Sequence, residues 1–197
     1  MYKFVKKTLV MALNVKIDFD DCYEINSISR DLLFFEFNTF LINDDEVLLG
    51  IKINTESHVF LPDVFNLAFG PLNEGKEIDD KIKLHHKNHS KVFSTIVFAA
   101  FTFLEGNKDK YLGIDGSNNA RAYMYYRCIQ NNFDYLSEIF DIYGVNYYVR
   151  VLRKLNDKDY TYPIDEADIK PFIEKIDKNV SIQSDKLYNY FIFKLKS

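Results

Sequence analysis

The residues best able to do chemistry cluster around IDGSNNARAYMYYR, Ile114 to Arg127, where a small polar turn meets a run of helical composition. Free N–H groups at a helix start, joined by an arginine in the first turns, can hold a phosphate or carboxylate. In that reading Gly116 and Ser117 form the turn, Ser117 or Asn118 caps the helix, Arg121 supplies the guanidinium and Tyr125 follows one turn later. The plainer reading is a capped helix whose Arg121 pairs with a carboxylate or stacks on Tyr125. The spacing is neither a Walker loop nor a full dinucleotide fingerprint. No GxSxG elbow surrounds Ser117, and no histidine beside it in sequence could act as its base.

A second group is His85, His86 and His89, preceded by Asp79 and Asp80. Carboxylate and imidazole together suit zinc or manganese. No nearby cysteine or glutamate completes a closed ligand set, however, and a solvated polar turn explains the run as well. We therefore expect no metal and no cofactor. Cys128 falls inside a helical run rather than at its positive end, which argues against a reactive thiol. Tyr123, Tyr125, Tyr126 and Arg127 could stack on bases, but core or protein-contact surface is the simpler use of such rings.

These residues need a scaffold, and the composition supplies one. The 197 residues are 47% hydrophobic, with 18 Phe and 14 Tyr and no Trp. That is globular chemistry and enough chain for one domain with a sizeable core. A formal charge of −4 lacks the basic footprint of a dedicated DNA binder. Cys22 and Cys128 share no CxxC spacing, so a reduced cytoplasmic setting is expected. No run reaches the ~20 apolar residues of a membrane span, and the short run Thr8 to Val15 lacks a cleavage signature.

In chain order, Tyr2 to Phe19 reads as strand. Leu32 to Ile42 and Val47 to Asn54 read as a hairpin across the turn Asn43 to Glu46. Val64 to Ile82 reads as alternating residues followed by a shaped loop, with Asn66 capping backbone groups and Gly70-Pro71 fixing the path. Ser90 to Gly106 is the clearest helix, apolar over most of its surface and therefore buried. Tyr111 to Asp115 is a strand, and Ala120 to Gln130 a helix. Phe133 to Ile142 is a short helix ended by Gly144, Asn146 to Leu152 a strand, Asp157 to Ile164 a loop, Asp168 to Lys175 a short helix and Leu187 to Leu195 the closing strand. This order argues an α+β single domain with a largely antiparallel sheet, a long buried helix and two shorter helices. Residues 1–31 are expected as a strand extension of the core domain formed by residues 32–197.

FNLAFGPLNEG with IDDKI, KVFSTIVFAAFTFL, IDGSNNARAYMYY, EIFDIYG and YNYFIFKLK together resemble a bacterial domain family of unknown function. That family carries an NLAFGD loop followed by paired aspartates, an Asn-Asn-Gly-Asp turn before a long apolar helix, a GS…R…Y segment and a closing Y–FLVKRK strand. The resemblance covers roughly residues 33–197 in patches. It implies Asn66, Gly70, Asp79, Gly116, Ser117, Arg121 and Tyr125 as positions of interest. Pro71 stands where the family has aspartate, and His85 to Asn88 replace the Asn-Asn-Gly-Asp turn, which removes two carboxylates. The resemblance implies no established activity.

The leading expectation is a non-enzymatic binding module of an intracellular bacterial system of the defence or toxin–antitoxin kind. Its anion or ligand site would be Gly116, Ser117, Arg121, Tyr125, Asn66 and Asp79. Its partner would be a protein or a second copy, with nucleic acid not favoured and no membrane. The alternative is a nucleotide- or RNA-directed enzyme using Arg121 with Asp79, Asp80 or His89.

Overall fold

The computed structural model describes residues 14–79, 82, 84–116, 118–151, 164–180, 182 and 187–196. Within them lies one eight-stranded sheet in the order β1-β2-β3-β4-β5-β8-β6-β7. The strands are β1 (Ile25–Ile28), β2 (Phe34–Phe40), β3 (Glu46–His58), β4 (Leu61–Pro71), β5 (Tyr111–Asp115), β6 (Phe140–Val151), β7 (Ile164–Lys175) and β8 (Tyr190–Leu195). The helices among these residues are α1 (His89–Gly106), α2 (Asn119–Asn131) and α3 (Phe133–Ile139). This is the expected α+β single domain. Every strand pairing is antiparallel except β4 with β5, where Val64, Phe65 and Asn66 lie opposite Tyr111, Leu112 and Gly113. A parallel pair needs a long crossover, and α1 lies within it.

Side chains alternate between the faces of a strand, and here the two faces meet different neighbours. One face packs on the helices. Phe65 contacts Phe103 of α1, Phe69 contacts Phe93 of α1, and Phe191 contacts Tyr125 of α2. Ile51, Phe35, Leu112, Phe140 and Ile142 join the same core. The other face carries a smaller cluster of Leu61, Val64, Val145, Tyr190 and Ile192, flanked by Tyr111, Tyr143 and Tyr147, and no helical residue joins it.

The long helix forms where its apolar stripe demands. Asn88 caps it by accepting from the Lys91 N–H, and Val92, Ile96, Ala99, Phe103 and Leu104 are buried. The segment before β1 runs across the helices without pairing as a strand. Its backbone N–H groups are satisfied by side chains instead: Lys16 donates to Ser90, Ile17 to Asn132, Asp18 to Ser94 and Tyr23 to Thr95. Asn132 returns the tie by donating to the Val15 carbonyl at 2.8 Å.

Several local expectations are corrected. Residues 14–19 are not a strand, and residues 2–13 lie outside the described set. The shaped loop expected over Asn66 to Asp80 is strand β4 as far as Pro71, and Asn66 Oδ1 accepts from the Tyr190 hydroxyl instead of capping backbone groups. The short helix expected over Asp168 to Lys175 is part of β7. Proline within a strand is tolerated at a sheet edge, where the missing N–H is not needed, and β7 is the end strand with Pro171 opposite Tyr147. The helix expected through Ile142 stops at Ile139 because Phe140 to Val151 extends as β6. Gly144 accordingly ends nothing. It sits under the ring of Tyr188, which would overlap any Cβ placed there. The loop expected over Asp157 to Ile164 falls almost entirely outside the described residues.

Candidate functional site

The one parallel seam of the sheet leaves a recess on the face away from the helices. Asn54 and His58 reach it from β3, Asn66 from β4, Asp115 and Gly116 from the end of β5, Tyr147 from β6, and Asn189 and Tyr190 from the start of β8. Its volume is about 510 Å³, within the roughly 300–1,000 Å³ of small-molecule sites. Asp115 follows Tyr111 and Gly113 in the alternation of β5, so its side chain falls on this open face. No lysine or arginine lines the recess among the described residues.

Gly113 is the reason Tyr190 can lie where it does. A Cβ at Gly113 would collide with the Tyr190 ring and hydroxyl, so the ring lies directly over the backbone of β5. From there Tyr190 Oη donates to Asn66 Oδ1 at 3.1 Å, leaving both Asn66 amide hydrogens available to another partner. The His58 ring packs 5.2 Å from Tyr190 and 6.1 Å from Tyr147, centroid to centroid.

The histidine has a defined role in this wall. Its Nδ1 accepts the Phe60 N–H at 3.2 Å, which puts the proton of the neutral imidazole on Nε2. Nε2 then donates to Tyr147 Oη at 3.3 Å, and the Tyr147 hydroxyl proton is free to point elsewhere. Burial holds His58 below its ordinary 6.5, against a smaller opposing pull from Asp115. Burial, with the Asp115 charge adding, pushes Tyr147 up to about 12. Tyr190 is raised by burial, then by Tyr147 and Asp115. At neutral pH the wall is therefore a neutral imidazole and two protonated phenols beside one carboxylate.

Gly116 closes the floor. Its N–H donates to the Asn189 carbonyl at 2.9 Å. A Cβ there would lie 3.0 Å from Cα and Cβ of Ala122 and 3.2 Å from that same carbonyl. Its smallness thus serves close approach to α2 rather than a left-handed turn, since no glycine among the described residues has positive φ. Asn118 is the cap of α2, accepting from the Ala120 and Arg121 N–H groups at 3.1 and 3.0 Å.

The residues singled out from the sequence are divided between two sides of the sheet. Asn66 and Gly116 line the recess. Tyr125 packs in the helix-side core against Phe69 and Phe191. Arg121 is half-buried in the first turn of α2. Asp79 donates its N–H to the Pro71 carbonyl at 2.9 Å, and its own carbonyl lies against Gly70. Gly70 is roughly 13 Å beyond Asn66 at the rise of an extended strand. Ser117 and Asp80 lie outside the described residues. His86 and His89 stack edge to face at 5.7 Å, with the His86 ring 3.4 Å from the Thr39 hydroxyl. Burial, then the neighbouring His89 and His85, lowers His86 to about 4. Among the described residues no three His, Cys, Asp or Glu side chains are grouped to hold a metal. Burial pushes the Cys128 thiol up to about 12. No helix among the described residues is long and apolar enough to cross a membrane.

Sequence reasoning missed His58, Asp115, Tyr147, Asn54, Asn189 and Tyr190. One signal for the last was present: a glycine inside a strand, Gly113, often marks a place where something approaches the backbone closely.

A family model described as a family of unknown function matches residues 21–163, well over half of the chain. No curated protein and no solved structure matches the chain.

Proposed function

The chain belongs to DUF6934, a family of unknown function, and we propose that it is a non-enzymatic binding module holding a small polar ligand in the recess of the open sheet face. The observation that carries this is the state of His58. Its Nδ1 is committed to a backbone N–H and its Nε2 to Tyr147, so neither nitrogen is placed to take a proton from a substrate. The remaining groups are amides, phenols and one carboxylate, a set able to recognise a ligand by hydrogen bonding. The setting remains part of this proposal: an intracellular bacterial system, with the module cytoplasmic.

The test uses the full chain, labelled with 15N, against neutral, cationic and anionic small polar probes. Saturable shifts of the Asp115, Gly116 and Asn189 amides, with every probe recovered unchanged, are expected. Absence of any saturable shift would overturn the pocket. A probe converted with turnover, abolished in His58→Gln, would overturn the non-enzymatic part and favour the nucleotide- or RNA-directed alternative.

A protein partner or second copy is proposed separately, supported by the outer end of the sheet. Tyr148 and Phe172 are 60% and 43% exposed and pack edge to face at 5.6 Å, and paired exposed rings of this kind suit an interface. The favoured occupant is a second copy, because β7 is the end strand of the sheet and end strands pair readily with their own kind. Analytical ultracentrifugation should find a dimer that Tyr148→Lys with Phe172→Lys dissociates; a wild-type monomer at high concentration would reject it.

A further inference from the structure

We infer that the ligand of this recess is a ring bearing adjacent hydroxyl groups, a sugar or the ribose of a nucleoside; this rests on the recess being a ligand site and specifies its chemistry. The inference comes from matching donors and acceptors. Asn66 offers amide hydrogens because its oxygen already accepts from Tyr190. Tyr147 offers a hydroxyl hydrogen because its oxygen accepts from His58. Asp115, which also has contacts within the protein, contributes a carboxylate with about four acceptor sites. A ligand that satisfies donors and acceptors together must itself both donate and accept. Hydroxyl groups do so, whereas an ammonium only donates and a phosphate mainly accepts.

Charge and shape narrow the class in the same direction. A phosphate would meet the Asp115 carboxylate, and the described lining residues include no lysine or arginine to attract it. An ammonium would suit Asp115 but would leave the Asn66 and Tyr147 donors without partners, which is unfavourable in a partly desolvated wall. The Tyr147, His58 and Tyr190 rings give flat apolar surface beside polar tips. A sugar ring has the matching shape, with C–H groups on its face and hydroxyls at its edge. Adjacent hydroxyls can also engage both carboxylate oxygens at once.

Calorimetry and amide shifts of the full chain would test this with adenosine, ribose and methyl glucoside as probes, against 2′-deoxyadenosine, inorganic phosphate and methylammonium. A diol-bearing probe should bind with shifts at Asp115, Gly116 and Asn189. Adenosine binding with no response to ribose or methyl glucoside identifies the nucleoside source; response to methyl glucoside identifies the free sugar. Asp115→Asn should weaken that binding by roughly tenfold or more, as expected for hydrogen bonds to a charged acceptor. Tyr147→Phe keeps the ring and should weaken it several-fold, which provides a second reading if Asp115→Asn does not fold. Equal binding of adenosine and 2′-deoxyadenosine, without response to the sugars, would overturn the diol. Phosphate or methylammonium shifting the same amides while no diol probe does would overturn the inference yet keep the recess as a ligand site. No response to any probe would overturn both.

Discussion

On the helix side of the sheet Phe35, Phe103, Phe191 and Leu104 are each no more than 1% exposed, while on the open side strands β3, β4 and β5 present Asn54, Asn66 and Asp115. The difference follows from cover. Helices α1 and α2 lie over the first face and reward apolar volume, because buried apolar area is stabilising in proportion to its size. The second face has a small apolar cluster and then a stretch of polar groups, which persist because they bond one another and solvent. Stability is thus concentrated on one side and recognition on the other. Substitutions should separate the two.

The largest effect is expected from Phe103→Ala, which removes a fully buried ring from the helix side. A loss of about 3–5 kcal/mol should appear in urea unfolding, with the folded fraction still showing wild-type amide shifts around the recess. A loss under about 1 kcal/mol would break the comparison.

Gly113→Ala and Gly144→Ala sharpen it further, since each places a methyl into a tyrosine ring but on opposite faces. Each should cost about 1–3 kcal/mol by overpacking, read by the same unfolding assay. Only Gly113→Ala should also displace Tyr190 and lose ligand binding. Equal ligand affinity in both variants would mean that Tyr190 does not shape the recess.

The pH dependence should trace mainly to His86, beside β2 and the start of α1, rather than to His58. The unfolded chain takes up this proton near 6.5 and the folded chain only near 4. The folded value is depressed, so its contribution is fully present above 6.5 and falls away as the pH drops toward 4. His86→Gln should flatten the unfolding midpoint across that window, and His58→Gln should flatten it less. The reverse order would relocate the sensitive group to the recess.

The smallest effect is Asn118→Ala, which removes the cap of α2. About 1 kcal/mol is expected in thermal or urea unfolding, with ligand affinity in the folded protein unchanged.

The sequence was most legible where one physical rule dominated. The apolar stripe of Ser90 to Gly106 marks α1 to within a residue, although its cap at Asn88 was not read, and the β2–β3 hairpin follows from alternation around an acidic turn. Asp168 to Lys175 misled because a short amphipathic run and an early proline fit a helix start as well as an edge strand. Only pairing with β6 decides between them. The recess was harder still. Asn66 and Gly116 stood out, but His58, Tyr147 and Asn189 come from separate strands, and nothing local marks residues brought together by strand order. Tyr125 shows the converse: its spacing from Arg121 was visible, but the ring turns into the core.

The parallel seam has a kinetic consequence. Strands β1 to β4 close by successive antiparallel turns, and β5 to β8 form a second block. Only three register pairs join β4 to β5, across a separation of 47 residues between Val64 and Tyr111. Such a long closure, like the still longer one between Leu112 and Phe193 in the β5–β8 pair, must be made before its contacts return anything, which places both late in assembly. Asn54, His58 and Asn66 arrive with the first block, and Asp115, Tyr147 and Tyr190 with the second. The recess therefore does not exist until both long closures are made, so ligand binding would report a late step of folding and would hold the two halves together once it occurs.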